Sequence, residues 1–593
     1  MLALAALVAA WAVVVAASGG VSILAGGLRL SSRNAWRPAG LAVVLAAAAL
    51  WRTTAADRRT LLALAAAAVE RRARHAAVAL AIATASIAAV YGTHVAGAAD
   101  ASGYVSQSRL WAGGRLTRPA PVVSDAPWPE RGRLVAPLGY RPTTRPDELG
   151  PTYAPGLPWL MALGSAVAGE PGPYLWTPLA VGLLVAGTYA FAAFEAPGTV
   201  ALAAALLVAG SLPVLFEAMQ TMSDLPVAAL WIWALVGLRT GGRAATIGFG
   251  GLAALALAVR PNLVLGAAAV WVAAFLADEG PIGARARRAV VRAIPLAAVA
   301  IGIAALNTRL WGSPFASGYG AAAEIFSTAT MGPNLVTLWA WTVETRGYWT
   351  ALGLVALVVV AAAPGGRRWW PAVGLVAGVF ASYLPYARFA EWWYLRFYLP
   401  LWPVAAAAGA LVAWRLLARW SDAGGRLALA AAAVAMAVAG VADADRRGVF
   451  DLWRGEQRYA AVGHWVADHA PPDAVVLAVQ HSGSLAYYTD RTVVRFDEVP
   501  GDGLDALCTR LVGSGRAVWL VVEDWEEPVV RARFAATRRG RLEWAPIAEA
   551  RVGTSRVRVY DLAATTRATG PTFITVTSGG PWPWLRRAPA PAQ

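Results

Sequence analysis

The chain has one cysteine, Cys508, in 593 residues. That excludes an intrachain disulfide, so any part outside a membrane is held by its own core. Lysine is absent altogether, and all 51 basic residues are arginine. A guanidinium suits bidentate phosphate contacts, but the codon bias of a GC-rich genome gives the same result. Charge is scarce too: only 15% of residues are charged, against 58% hydrophobic ones and a mean hydropathy of +0.51. Such a composition excludes an ordinary soluble globular protein. The apolar runs are continuous rather than alternating, which argues against transmembrane strands. No glycine-rich phosphate fingerprint, metal-spaced Cys/His set or nucleophile triad stands out, and His464, His469 and His481 read as ordinary structural or surface histidines.

What is there is a series of apolar runs. A helix needs roughly 20 residues to cross about 30 Å of hydrocarbon, and the runs give about thirteen candidate spans, several of marginal length. The expected fold class is therefore an α-helical polytopic membrane protein, followed by a small C-terminal extracytoplasmic α/β domain. A net charge of +16 would suggest nucleic acid in a soluble chain. Here the arginines cluster in short loops between apolar runs, which reads as topology, with no nucleic-acid partner.

Arg71, Arg72 and Arg74 precede the run from Ala76 to Val95 and belong in the cytoplasm, so Asp100 emerges outside. Arg239 and Arg243, then Arg285, Arg287, Arg288 and Arg292, then Arg367 and Arg368, and then Arg415, Arg419 and Arg426 all fall on cytoplasmic turns. Residues 1–75 read as an N-terminal transmembrane hairpin and a cytoplasmic interfacial segment. In that stretch, Met1 to Leu28 lacks the basic lead of a signal peptide and is expected to be a retained span. Pro38 to Trp51 would form a short second span, and Leu61 to Val69 is too short to cross. Residues 76–445 read as a transmembrane core with a first outer loop over 97–157, 454–564 as the α/β domain, and 565–593, rich in Pro, Gly and Thr, as a poorly ordered tail. Within 454–564, strands are expected at Ala474 to Val479, Val493 to Phe496, Ala517 to Val522 and Arg556 to Tyr560.

Asp100 is the most informative residue of the outer face. An acid at the end of a span is cheaply explained as an interfacial cap. Its company raises it above that: Ser102, Gly103 and Tyr104 follow, and Ser106 to Leu116 reads as an amphipathic helix lying on the membrane, with Leu110 and Trp111 apolar and Arg109 and Arg115 basic. Asp224, beginning a span two residues before Pro226, reads equally as a helix N-cap and as a site residue.

The acid-bearing first outer loop, Tyr153-Ala154-Pro155-Gly156-Leu157-Pro158, Met222-Ser223-Asp224-Leu225-Pro226, Arg260-Pro261-Asn262 and Trp311-Gly312-Ser313-Pro314-Phe315 with Ser317-Gly318-Tyr319-Gly320 share one side of the membrane. In that order they resemble the GT-C superfamily of membrane glycosyltransferases, of the protein O-mannosyltransferase and lipid A aminoarabinose transferase type. The resemblance spans most of the chain. It implies a catalytic core in residues 76–445, a multi-pass protein of the bacterial cell envelope in the cytoplasmic (inner) membrane, and an active site on its outer side. There a sugar on a polyprenyl phosphate would pass to an acceptor hydroxyl or amine, in an inverting transfer.

In that reaction Asp100 is the expected general base. Arg260, Arg388 and Arg396 are the candidates to hold the lipid phosphate, each also readable as a snorkelling interfacial arginine. Asp224, Tyr153 and Tyr319 are further substrate-binding candidates, although tyrosine at a membrane interface is ordinary belt chemistry. Partners would be the polyprenyl-phosphate-linked sugar, membrane lipid and a glycan, lipid or protein acceptor. Many relatives carry two adjacent acids where this chain has Asp100-Ala101, so a bound Mg²⁺ or Mn²⁺ is left open and would require Asp100 and Asp224 to converge. The alternatives are a transporter or flippase of lipid-linked sugars, and a scaffold whose outer domain binds a partner. Transporters place ionisable residues at the bilayer midplane and repeat their halves, and neither feature is visible here.

Overall fold

The computed structural model describes residues 36–121, 131–320, 322–563 and 570–576, together with 21–25, 28–32 and a few positions before residue 16. Most of the expected tail, 565–593, lies outside the described residues. The chain divides into two compact units, one of residues 1–72 with 414–428 and one of 73–413 with 429–593.

In the first unit, strands Val21–Ala25 and Leu28–Ser32 pair antiparallel. The retained span expected over Met1 to Leu28 is therefore interrupted by a strand at its C-terminal end. Helix Trp36–Arg52 follows, and then helix Ala55–Tyr91, 37 residues long, whose residues from Ala73 onward belong to the second unit. Thr54 caps the start of this second helix: its hydroxyl accepts from the Asp57 N–H at 3.1 Å and donates to Asp57 Oδ2 at 2.7 Å. Leu61 to Val69, read as a piece too short to cross, is not a separate element. With alanine, leucine and arginine and no Gly or Pro to break it, it falls in the first half of the helix that carries Ala76 to Tyr91.

The second unit is a multi-pass helical bundle with a sheet layer. Among the described residues five helices are long and apolar enough to cross a membrane, or seven if each bent helix pair counts as one span. The count of about thirteen is not reached on that measure. Helices do stand at most of the expected places, but many fall short: Val264–Ala277 has 14 residues, Tyr348–Ala362 has 15 and Trp370–Tyr383 has 14. Two expected spans are broken, Gly198–Ala209 with Leu212–Ala218 at 61° and Trp392–Tyr398 with Leu401–Leu417 at 81°. The first break falls at Gly210-Ser211-Leu212-Pro213, where Pro213 lacks a backbone N–H. Helix contacts use small residues in place of a hydrophobic driving force: Gly266 of Val264–Ala277 meets Gly378 of Trp370–Tyr383 backbone to backbone.

The C-terminal sheet has six strands in the order Thr572–Ile574, Ala548–Val552, Ser555–Asp561, Val518–Glu523, Val475–Leu477, Thr492–Val494. Pairing is parallel at both ends of the sheet and antiparallel across Ser555–Asp561. Four strands match those read from the sequence to within two residues. Ala548–Val552 is additional, and Thr572–Ile574 lies in the stretch read as tail. Val518–Glu523 is buried at every position. Its side chains alternate between two cores, with Val518, Leu520 and Val522 packing beside Leu507, Cys508 and Leu511, and Trp519 and Val521 beside Val462 and Val466.

Leu134 and Val135 of the first long loop belong to the first of those cores. The loop is therefore part of the sheet layer's interior. It carries its own three-stranded sheet of Arg118–Pro119, Glu148–Pro151 and Tyr140–Pro142.

Candidate active site

One end of the helical bundle gathers the polar residues. Helix Asp100–Ala112 begins there, as does Asp224–Thr240, while Gly242–Val259 ends there and delivers Arg260. Between them lies a cavity of about 530 Å³, the size of an ordinary ligand site. Asp100, Tyr153, Arg260, Tyr319 and Arg396 all line it.

The first helix of the loop is not an amphipathic helix on a membrane surface. It starts at Asp100, six residues before the expected start, and Ser102 to Ser108 are buried. Small residues make that possible. Gly103 lies against the Tyr153 ring and Gly139, and Ser102 against Gly483. A helix with so little apolar surface is held by close backbone approach and hydrogen bonds rather than by lipid.

Asp100 does not cap its helix, since Ala99 occupies the N-cap position and no side chain caps it. Instead its carboxylate faces the cavity. Oδ1 accepts from the Tyr153 hydroxyl at 2.8 Å, and Oδ2 lies 3.2 Å from Arg396 Nη2. Burial, then the charge of Asp100, raises the Tyr153 phenol well above its usual value, so it stays a donor. The Asp100 side chain is 30% exposed.

Two residues upstream, Ala98 has φ 45°, a left-handed conformation that a residue with a Cβ adopts rarely and at a cost of order 1 kcal/mol or more. Its surroundings impose it. The Ser102 hydroxyl donates to the Ala98 carbonyl. The Ala96 N–H donates to the Tyr488 hydroxyl at 2.9 Å, and a Cβ on Gly97 would lie 2.6 Å from Glu456 Oε2 and 2.8 Å from the Tyr459 ring. Leu138 N–H donates to Ser482 Oγ at 3.0 Å. The sheet layer thus grips the loop on both sides of Asp100.

Asp224 sits differently. It is 1% exposed, and its Oδ1 lies 2.6 Å from Arg260 Nη2. It is not an N-cap either, because Ser223 holds that position. Arg260 is fixed further by Ser223 Oγ at 3.0 Å and the Tyr383 hydroxyl at 2.8 Å, and Tyr104 donates to the same Ser223 at 3.0 Å. Asp224 stands behind the wall, and Arg260 and Ser223 form the wall itself.

Arg388 is not brought to the site. It is exposed and absent from the cavity lining. The segment after it turns into the short helix Trp392–Tyr398, which carries Arg396 inward over the Tyr394 and Phe397 rings. Phe389 stacks on Tyr394, Phe397 meets both at an angle, and the three rings line the cavity that Arg388 does not reach.

The residues do not fit a divalent cation shared by Asp100 and Asp224. Each carboxylate is matched to its own guanidinium, and among the described residues no three His, Cys, Asp or Glu side chains converge.

Several site residues were not singled out in the sequence. Gln107 and Trp111 line the cavity, and Gln107 Oε1 and Trp111 Nε1 are buried without a hydrogen-bond partner among the described residues. Their spacing of four on one helix was the available signal. Tyr383 lies inside one of the apolar runs counted as candidate spans. Glu217, 1% exposed with neither oxygen hydrogen-bonded among the described residues, lies within electrostatic range of Asp224, Arg396 and Arg260.

No family model matches the sequence, and no curated protein matches it. Solved structures do. ArnT from Cupriavidus metallidurans in its apo state is similar with a TM-score of 0.52 at 12% identity, over 83% of this chain and 98% of that one. ArnT bound to undecaprenyl phosphate is similar with a TM-score of 0.51, at the same identity and coverage. ArnT is a GT-C glycosyltransferase. The chain has the GT-C fold. At 12% identity the likeness fixes the fold alone. The coverage extends the GT-C likeness well beyond the helices that line the cavity.

Proposed function

We propose that the chain is a membrane glycosyltransferase that moves a sugar from a polyprenyl-phosphate donor to an acceptor at the cavity of Asp100. The observation that carries the reading is one carboxylate on a cavity wall, oriented by Tyr153 and Arg396, beside a second guanidinium, Arg260, locked in place by a buried acid. Binding of undecaprenyl phosphate by ArnT, a protein of the same fold, supports a lipid-linked donor.

The chemistry is a single displacement. An acceptor hydroxyl or amine attacks the anomeric carbon as Asp100 takes its proton, the bond from that carbon to the phosphate oxygen breaks, and the electron pair leaves with the polyprenyl phosphate. One displacement inverts the anomeric centre. The leaving group is a stable anion and needs no strong acid; it needs positive charge held in place beforehand, which Arg260 and Arg396 supply. Gln107 Oε1 and Trp111 Nε1 offer an acceptor and a donor for sugar hydroxyls. The cavity end of the bundle is read as the extracytoplasmic side, following the arginines at the other end, and the sheet layer as the domain that sets the loop.

The test is Asp100→Asn in proteoliposomes supplied with lipid-linked sugars from the native membrane. Transfer is expected to fall by about 10²- to 10⁴-fold, with the protein still folded and inserted. Equal transfer by variant and parent would overturn the base assignment. Movement of the lipid-linked sugar between leaflets without transfer by the parent would favour a flippase instead.

A further inference from the structure

Helices Asp224–Thr240 and Gly242–Val259 run away from the cavity to a second concavity at their other ends. Leu238 and Arg239 of one and Gly242 and Thr246 of the other line it, and its volume is about 1380 Å³. Seventeen residues of helix at 1.5 Å each separate the two sites by about 25 Å, close to the thickness of the hydrocarbon core. The second concavity therefore lies at the opposite membrane face.

Six guanidinia line it, those of Arg239, Arg285, Arg288, Arg292, Arg367 and Arg368, against three acids, Glu195, Asp278 and Glu279. Six positive less three negative charges leaves +3. How the pairs are made says more than the total. Glu195 Oε1 is held by two arginines, Arg239 at 2.9 Å and Arg368 at 3.1 Å. Asp278 is likewise held by two, Arg288 at 3.1 Å and Arg292 at 2.8 Å. Each trio keeps one positive charge over.

Arg285 donates only to the Phe275 carbonyl, at 2.8 and 3.2 Å, and Arg367 lies over the Trp370 ring. Neither has a carboxylate partner among the described residues. Arg239 and Arg292 have side chains only 9% and 5% exposed, yet their Nε atoms donate to nothing among the described residues. Buried N–H donors without acceptors are costly, and here they stand beside surplus positive charge in an open concavity. A topological bias toward arginine accounts for basic residues in loops. It does not account for half-buried acids that are each shared by two arginines around one hollow.

We propose that this concavity binds a phosphate group, that of an anionic lipid headgroup in the facing leaflet or of a soluble phosphate of the same chemistry. A phosphate offers several acceptor oxygens and up to two negative charges, which matches the excess charge and the two guanidinia, Arg285 and Arg367, that have no carboxylate partner among the described residues. The Ala361 to Ala363 rim and Trp370 give acyl chains an apolar edge beside it. The inference is independent of the transferase reading.

The test uses the full-length protein in detergent with three probes: cardiolipin, phosphatidylcholine and inorganic pyrophosphate. The variant is Arg285→Gln/Arg367→Gln, chosen because neither change strips an acid of its partner, and Arg367→Gln alone serves if the double variant does not fold. The parent is expected to retain cardiolipin over phosphatidylcholine, and the double variant to bind it about 30-fold more weakly. Displacement of cardiolipin by pyrophosphate at micromolar concentration would name a soluble phosphate as the source, and resistance to it a lipid. Equal retention of cardiolipin and phosphatidylcholine with no pyrophosphate binding, or unchanged affinity in the variant, would overturn the proposal.

Discussion

Two acid–arginine pairs built from the same chemistry are set at different depths around the cavity. Asp100 with Arg396 is on the wall, its carboxylate 30% exposed and hydrogen-bonded by a tyrosine. Asp224 with Arg260 has its acid 1% exposed and only its arginine facing inward. The difference assigns work. A carboxylate on the wall can receive a proton from an incoming hydroxyl or amine, whereas one behind the wall can act only through the group it holds. On the proposed reading, exposure, rather than the presence of an acid in a motif, is what separates a base from a scaffold.

The strongest way to break that contrast is to neutralise each acid in turn. Asp100→Asn is expected to remove most of the turnover, about 10²- to 10⁴-fold, at nearly unchanged melting temperature. Asp224→Asn is expected to do the reverse in proportion, with a marked loss of thermal stability, toward the lower part of the roughly 3–5 kcal/mol range for breaking a buried pair, and a smaller fall in turnover. If the two variants gave the same profile of melting and kinetics, the division of roles would be wrong.

Arg260 sharpens the comparison from the other side. Arg260→Lys keeps the charge but loses the fork that bonds Ser223, Tyr383 and Asp224 together. Turnover should drop on the order of 10²-fold, as for removal of one preorganised donor to a developing anion, in a steady-state assay at saturating donor. A substitution at the exposed Arg388, in contrast, should leave kinetics alone.

A smaller effect is expected from the sheet layer. Tyr488→Phe removes the hydroxyl that accepts the Ala96 N–H, worth about 0.5–1.5 kcal/mol. It should loosen the strained Ala98 turn and lower kcat several-fold with KM little changed. An identical KM and kcat would mean that the grip on the loop does not set the position of Asp100.

These contrasts also mark what the sequence made legible. Asp100, Tyr153, Arg260 and Arg396 were readable because arginine sidedness and the order of the loops placed them on one face, and a cavity at one end of the bundle gathers them. Depth was not readable. Asp224 and Arg388 are both polar residues beside apolar runs, and only packing shows that one is behind the wall and the other outside it. Breaks within spans were not readable either, since a run of apolar residues does not announce that the chain will turn by 61° or 81° within it. Nor could hydropathy reveal that the polar helix Asp100–Ala112 is buried, because its burial comes from glycines and serines meeting other segments far away in sequence, such as Gly483 and Tyr153.

The mildest prediction concerns the ion pairs of the sheet layer, where burial acts on a histidine. His481 is fully buried beside Glu523, with Nε2 3.2 Å from Oε1, and Arg458 Nε reaches the same oxygen at 2.8 Å. Burial holds His481 below its usual value of 6.5 despite the nearby carboxylate, and the His481 and Arg458 contacts overcome burial to hold Glu523 below its own. Both groups bind protons more readily when the chain is unfolded, so both contribute stability that is complete above about pH 6.5 and declines as the pH falls. The His481 share goes first, from about 6.5 downward, and the Glu523 share only below its usual 4.5. Melting of the detergent-solubilised protein should therefore weaken between pH 7.5 and 5.5 by at most about 1.4 kcal/mol per pH unit and proton, and His481→Asn should flatten that slope without touching the pH dependence of transfer. A slope that survives the substitution would place the titrating group elsewhere, and one that appears in turnover as well would mean that the grip of the sheet layer on the Asp100 loop is itself sensitive to pH.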